Sequence, residues 1–205
     1  MSTAERVARR QVDKFEERRR ELADAALHTL SELGYARTSL REIAQNSAFS
    51  HGVLHYYFRD KVDLITYCVR QYKAACVLRY DQIVATARTP AALAQGFADG
   101  LVGTLVEDAT MHRLWYDLRS QALFEESFRA DVLEIDTTLQ RMIWRIVSRY
   151  AELVDRPPLT SESMTYAMFD GLFQQALLRH LAGVDGAAEH LRASASQLLA
   201  LVVPT

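Results

Sequence analysis

Two short, cap-bounded helical segments in succession, Ser39 to Ser47 and Ser50 to Phe58, constrain this chain more than any other feature. Ser39-Leu40-Arg41-Glu42 has the form of a capping box, in which the hydroxyl accepts an early N–H and the carboxylate reaches back to the cap. Ser50 can cap the next segment, where Leu54, Tyr57 and Phe58 recur at i, i+3 and i+4 and share an inward face. Helices this short do not persist alone, because nucleation outweighs the few hydrogen bonds they form. Packing has to hold them. Leu40, Ile43 and Ala44 of the first can meet Leu54, Tyr57 and Phe58 of the second. A longer helix striped with Phe15, Leu22, Ala26, Leu30 and Leu33, ending at Gly34, supplies the backing. Two short helices joined by a tight turn and braced by a longer one form a helix-turn-helix, the scaffold that offers one helix to the DNA major groove.

Apolar residues recur at helical spacing through the rest of the chain, with no period-2 run bounded by hairpin turns, which predicts an all-α fold of about nine helices. Asp60 can cap a fourth helix, carried for about six turns by Ile65, Cys68, Tyr72, Cys76, Tyr80 and Ile83. Such a helix is long enough to join two domains, expected at 1–62 (helix-turn-helix with a basic arm) and 63–205 (helical ligand-binding and dimerisation domain). Thr89-Pro90 opens a fifth helix running to about Val106. Helices are further predicted over Thr110–Leu123, Glu125–Val154, Ser161–Leu181 and Ala187–Val202, with Arg156-Pro157-Pro158 and Gly183-Val184-Asp185-Gly186 as breaks.

With 49% hydrophobic and 24% charged residues over 205 positions, the chain is expected to fold. The charged N-terminus lacks the apolar core of a signal peptide, and no run approaches the ~20 apolar residues of a membrane span. A cytoplasmic protein with no membrane partner is expected. Cys68 and Cys76, ~12 Å apart along one helix, are too distant for a disulfide and read as small buried residues. No nucleophile elbow, phosphate-cradling glycine loop or CxxC pair is present, so the chain is read as a non-enzyme without cofactor. His51 and His55 have metal-chelating i, i+4 spacing, but no third ligand stands nearby, and no metal is expected.

The net charge of −2 excludes a uniformly basic nucleic-acid binder. Its distribution is uneven: residues 1–70 carry 12 Lys and Arg against 10 Asp and Glu, the remainder 12 against 16. Arg9, Arg10, Lys14, Arg18, Arg19 and Arg20 cluster ahead of the first apolar helix. On charge alone they describe a solvated helical end. Beside a helix-turn-helix they can form an arm that follows the DNA backbone or enters the minor groove. The outward side of the recognition helix needs slim, hydrogen-bonding groups, and His51, Gly52, Val53, His55 and Tyr56 meet that need. Lys61 at the next helix N-terminus, and Thr38, Ser39 and Arg41 at an earlier one, can hold phosphates.

The run Thr38-Ser39-Leu40-Arg41-Glu42-Ile43-Ala44, then Phe49-Ser50-His51-Gly52-Val53-Leu54-His55-Tyr56-Tyr57-Phe58, then Lys61 and Leu64, resembles the DNA-binding domain of TetR-type regulators. The spacing matches without gaps over residues 15–70. The resemblance implies an Ω-shaped dimer that binds double-stranded DNA through its N-terminal domain and a small effector through its C-terminal one. It implies base or phosphate contacts from Ser50, His51, Val53, His55, Tyr56 and Tyr57, and phosphate contacts from Thr38, Arg41 and Lys61. Three positions depart from the pattern. Ala48 stands where glycine is usual, which points to Asn46 as the alternative left-handed residue of the turn. His55 stands where tyrosine is common. Val62 replaces an acidic residue, with Asp63 next to it.

The C-terminal aromatics fit a core, and they equally fit a partly apolar effector cavity lined by Tyr72, Phe97, Trp115, Tyr116, Arg119, Trp144, Tyr166, Phe169 and Phe173. The penultimate helix is apolar on more than one face. Met168 and Leu172, with Leu191, Leu198 and Val202 of the last helix, are therefore expected in a two-fold dimer interface. The resulting expectation is a ligand-responsive repressor released from a palindromic operator. The alternative is a helical ligand-binding or interaction module that no longer reads DNA, on the strength of Ala48 and His55.

Overall fold

The computed structural model describes residues 3–34 and 38–204; the side chains of residues 3–5, 7–9, 28, 31, 32 and 128 lie outside the described set, and with them Arg9 of the basic cluster. Among the described residues the secondary structure is entirely helical: α1 (Thr3–Leu33), α2 (Leu40–Gln45), α3 (His51–Tyr57), α4 (Lys61–Thr86), α5 (Pro90–Glu107), α6 (Ala109–Gln121), α7 (Arg129–Val154), α8 (Glu162–Leu181) and α9 (Ala187–Val202), with one 3₁₀ turn at Glu126–Phe128. No helix among them is long and apolar enough to cross a membrane.

The caps form where the side chains predicted them. Ser39, Ser50, Asp60, Thr89 and Ser161 each accept an early backbone N–H of α2, α3, α4, α5 and α8 respectively. Gly34 closes α1 at φ +74°, a conformation that a Cβ would penalise. The turn between α2 and α3 differs from expectation. Asn46 has φ −103°, and Asp155 is the sole non-glycine residue at positive φ among those described, so neither Asn46 nor Ala48 is left-handed. Asn46 instead donates its side-chain amide to the Glu42 carbonyl at 2.8 Å, and Ser47 Oγ accepts from Phe49 N at 3.3 Å. Side-chain bonds thus make the turn that glycine makes elsewhere, and Ala48 imposes no strain.

Two helix boundaries also shift. α1 begins well before Phe15, so the basic cluster is helical rather than a loose arm; good helix formers and the spaced pairs Arg18–Glu21 and Arg19–Glu16 favour this. The segment predicted as one helix from Glu125 starts with the 3₁₀ turn, and Arg129 Nε donates to the Ala122 carbonyl at 2.9 Å to close the α6–α7 connection.

The buried side chains form one hydrophobic cluster, to which α1, α2, α3 and the first turns of α4 contribute Leu22, Ala26, Leu30, Leu40, Ile43, Leu54, Phe58 and Leu64. α4 then runs on into a larger bundle, packing against α5, α6 and α7, while α5 packs on α9 and α8 on both α7 and α9. Gly96 and Gly100 let α5 approach α4 closely: a Cβ at either would stand 3.2 Å from Ile83 or Tyr80. Arg70 to Asp131 at 2.8 Å and Arg145 to Asp81 at 2.7 Å pin α4 to α7.

Candidate nucleic-acid interface and internal pocket

The seven-residue α3 is held from beneath by Leu54 and Phe58, both fully buried, with Val53 half-buried beside them. That leaves His51, Gly52, His55 and Tyr56 outward, and Tyr56 is 72% exposed. A Cβ added at Gly52 meets nothing within 4 Å, so the protein's own packing does not require glycine there, and the backbone stays open to an approaching surface. The His51 and His55 rings meet edge-on, with their planes 83° apart and their Nε2 atoms 3.1 Å apart. Tyr57, predicted both inward and DNA-facing, is half-buried and packs on Phe15 with ring centroids 4.8 Å apart.

The flanking residues divide into brackets and outward groups. Thr38 is buried and its hydroxyl donates to the Gly34 carbonyl at 2.6 Å, tying α2 to the end of α1. Ser39 and Ser50 use their hydroxyls as caps. Arg41 is exposed, and Lys61 is half-buried at the first turn of α4. Part of the basic cluster has a structural role that no sequence pattern indicated. Arg19 lies over the rings of Phe58 and Tyr67, at 4.8 and 4.4 Å, and reaches Asp63 at 3.2 Å, while Arg18 lies over Phe49 at 4.8 Å. Asp63 also accepts from Arg59 N at 3.1 Å, so one carboxylate joins α1 to the α3–α4 junction. These guanidiniums orient the recognition helix from behind.

Inside the larger bundle, a cavity of about 60 Å³ lies among α4 to α8. Trp115, Tyr116, Tyr166, Phe169 and Phe173 line it, as the aromatic pattern suggested. The other predicted lining residues lie elsewhere. Phe97 is fully buried in the core between Tyr80 and Phe169. Trp144 borders a surface cleft with Pro157 and Pro158. Tyr72 stands behind the wall and meets His112 Nε2 at 3.1 Å, and Arg119 is engaged by Asp170 at 2.5 Å and Asp136 at 3.4 Å.

The lining also contains groups that the sequence pattern did not assign to a cavity: Lys73, Cys76, Tyr80, Thr104, His112 and Asp170. Lys73 is 3% exposed, and its Nζ lies 3.1 Å from His112 Nδ1. Burial pulls the Lys73 ammonium down to about 7, and burial together with the Lys73 charge holds His112 well below the usual imidazole range. Tyr116 donates to Asp170 at 3.0 Å and Tyr166 to Asp136 at 2.8 Å; both phenols are raised by burial and by these carboxylates. A sequence signal for Lys73 existed: it falls eight residues after Ile65 and three before Cys76, on the buried stripe of α4.

On α8 and α9 the outward large apolar residues are Met164, Leu178, Leu181 and Leu201, at 58%, 70%, 46% and 64% exposure. Met168, Leu172 and Leu198 are half-buried beside them, whereas Leu191 and Val202 are buried within the protomer.

Residues 22–68 match the family described as bacterial regulatory proteins, tetR family. The HTH-type transcriptional regulator BetI of Burkholderia thailandensis is 29% identical over 171 residues, covering 78% of this chain and 82% of the relative. AcrR of Shigella flexneri is 35% identical over 60 residues, 29% of this chain and 28% of the relative. Among solved structures, a TetR transcription regulator from Haloarcula marismortui superposes with TM-score 0.74 at 20% identity, over 92% of this chain and 99% of that one. FadR from Bacillus subtilis, in complex with stearoyl-CoA, gives 0.66 at 17% identity, over 89% and 96%.

Proposed function

The chain belongs to the TetR family of DNA-binding bacterial regulators, and from that premise we propose that it is a ligand-responsive repressor, a cytoplasmic homodimer released from a palindromic operator by a small molecule. The observation that carries this reading is the outward face of α3, where His51, Gly52, His55 and Tyr56 project from a helix whose other side is locked by Leu54 and Phe58. Slim donors on a rigidly held helix suit major-groove readout, and Arg41 and Lys61 flank it as phosphate contacts.

A second copy meets the protein through the outward side of α8 and α9, where Met164, Leu178 and Leu201 otherwise stay in water, with Met168, Leu172 and Leu198 at the margin. Two-fold symmetry in the protein then demands two-fold symmetry in the operator. The effector enters the cavity among α4 to α8; FadR with stearoyl-CoA is a neighbour in fold that carries a small-molecule ligand. α4 supports the coupling, since it packs on α1, the helix that also backs α3, while its middle lines the cavity through Lys73, Cys76 and Tyr80. A ligand that prefers one position of α4 shifts the separation of the two recognition helices, which is the differential affinity that release requires.

Gel-shift titration against DNA upstream of the protein's own gene tests the reading. Salt-sensitive binding confined to a palindromic segment is expected, and deletion of the gene should raise transcription from that promoter. Binding without sequence preference would overturn the operator, and a fall in transcription would overturn repression.

A further inference from the structure

We propose that the effector pocket takes a small, largely apolar monocarboxylate whose acid group is held by the Lys73 ammonium. The inference rests on the regulator reading only in naming that ligand an effector. Its basis is an imbalance between the two polar ends of the cavity.

At one end the carboxylates are already occupied. Asp170 accepts from Arg119 at 2.5 Å and from Tyr116 at 3.0 Å, and Asp136 accepts from Arg119 at 3.4 Å and from Tyr166 at 2.8 Å. A cationic ligand would have to displace these donors. At the other end Lys73 is unmatched. Its ammonium has three donors; the His112 ring lies 3.1 Å away at Nδ1 and 3.4 Å at Nε2, and the same Nε2 is 3.1 Å from Tyr72 Oη. No carboxylate among the described residues lies within 4 Å of Lys73, and its remaining neighbours are the faces of Tyr72 and Trp115 at 5.4 and 5.6 Å. Among the described residues the His112 ring is the hydrogen-bond partner of Lys73 Nζ, and a buried ammonium left short of acceptors at the wall of a cavity costs several kcal/mol in proteins unless an anion is supplied. A carboxylate has two oxygens to accept its N–H groups. Between the ends, Leu101, Met142, Ile143, Phe169 and Phe173 form apolar walls; the cavity of about 60 Å³ is smaller than the ~150 Å³ that holds a benzene ring, so these walls move apart when an acid enters.

The charge environment gives the binding a pH signature. The groups facing Lys73 are Tyr72 and Cys76 on α4, Asp108 at the α5–α6 junction, His112 and Arg119 on α6, and Asp170 on α8. Burial outweighs the acids among them and lowers Lys73 to about 7. A carboxylate beside it restores the charge, so binding takes up a proton above pH 7, and affinity falls as pH rises from there.

Isothermal titration calorimetry on the full chain with benzoate and butyrate, each against its neutral amide, tests this. The acids are expected to bind about tenfold or more tighter than the amides, and heats in two buffers of different ionisation enthalpy should report proton uptake. In K73M, where an apolar side chain of similar length fills a buried site, the preference for acid over amide should vanish. A wild-type chain that binds acid and amide equally, takes neither, or binds benzoate without proton uptake overturns the inference, as does a K73M variant that keeps the preference. These readouts are independent of operator binding. Normal operator recognition with no acid preference sinks this inference alone; acid binding through Lys73 without operator recognition sustains it and sinks the regulator reading.

Discussion

In the head formed by α1 to α3, the outward polar groups Arg41, His51, His55 and Tyr56 sit in water on two short neighbouring helices, whereas in the body the polar groups of the cavity are buried and arrive from α4, α5, α6 and α8. The head contributes few residues to the hydrophobic cluster that runs through the molecule and keeps these polar groups outside. The body encloses its chemistry, with Lys73 nearly inaccessible and Asp170 half-buried beside Arg119. The contrast teaches where each region is vulnerable. A head with few core residues loses function when any of them is trimmed, while a body with a large core can tolerate an unfavourably buried charge.

The largest effect is expected from Leu54→Ala, which empties the centre of the head's core at a fully buried position. Such truncations cost about 2–5 kcal/mol. Operator binding should disappear in gel shift while acid binding by calorimetry survives, and loss of both together would break the division into two regions.

Lys73→Met should act in the opposite sense. With its folded value lowered to about 7 against an ordinary value near 10.4, Lys73 is neutral in the native protein and charged in the unfolded chain between those limits. The unfolded chain then binds more protons, so stability rises with pH from about 7 to about 10, by at most about 1.4 kcal/mol per pH unit. The penalty is complete below pH 7. Replacing the lysine should raise stability at pH 7 by a few kcal/mol, since an apolar group suits a buried site better than an unpaired charge. Urea unfolding at pH 6, 8 and 10 reads both the gain and the loss of the slope.

Arg19→Ala is a smaller test of how the head is aimed. It removes the contacts over Phe58 and Tyr67 and the pair with Asp63, together worth about 1–2 kcal/mol. Operator affinity should fall for every sequence variant of the site, with benzoate affinity unmoved. Lys61→Ala should lower the slope of log affinity against log salt by about 0.9 per protomer, if Lys61 neutralises one phosphate.

Much of the head was legible because its signals are local. Caps at Ser39, Ser50 and Asp60 and the spacing of Leu54 and Phe58 need only neighbouring residues to be read. The exceptions in the head are long-range. Arg18 and Arg19 belong to a charge cluster in sequence, and only the folded packing of α1 against Phe49, Phe58 and Tyr67 turns them inward. In the body, Trp115, Tyr116, Tyr166, Phe169 and Phe173 were read as cavity residues along with Phe97 and Trp144, because an aromatic stripe looks the same whether it faces a core, a cleft or a pocket. The outward face of α8 and α9 shows the same limit: periodicity placed Leu191 and Val202 with Leu198, and packing against the protomer's own helices buried the first two.

By itself, then, the sequence determined the two short capped helices, their inward stripe and hence the face of α3 that looks outward, since helical period and capping act over three or four residues. It also determined that Ala48 would need a turn without glycine, though not how Asn46 and Ser47 would make it. The tertiary structure alone decided which charges meet. Lys73, His112 and Asp170 lie far apart along the chain, and the burial that removes water from Lys73 without pairing it directly with an acid exists only once α4 to α8 have closed around the cavity.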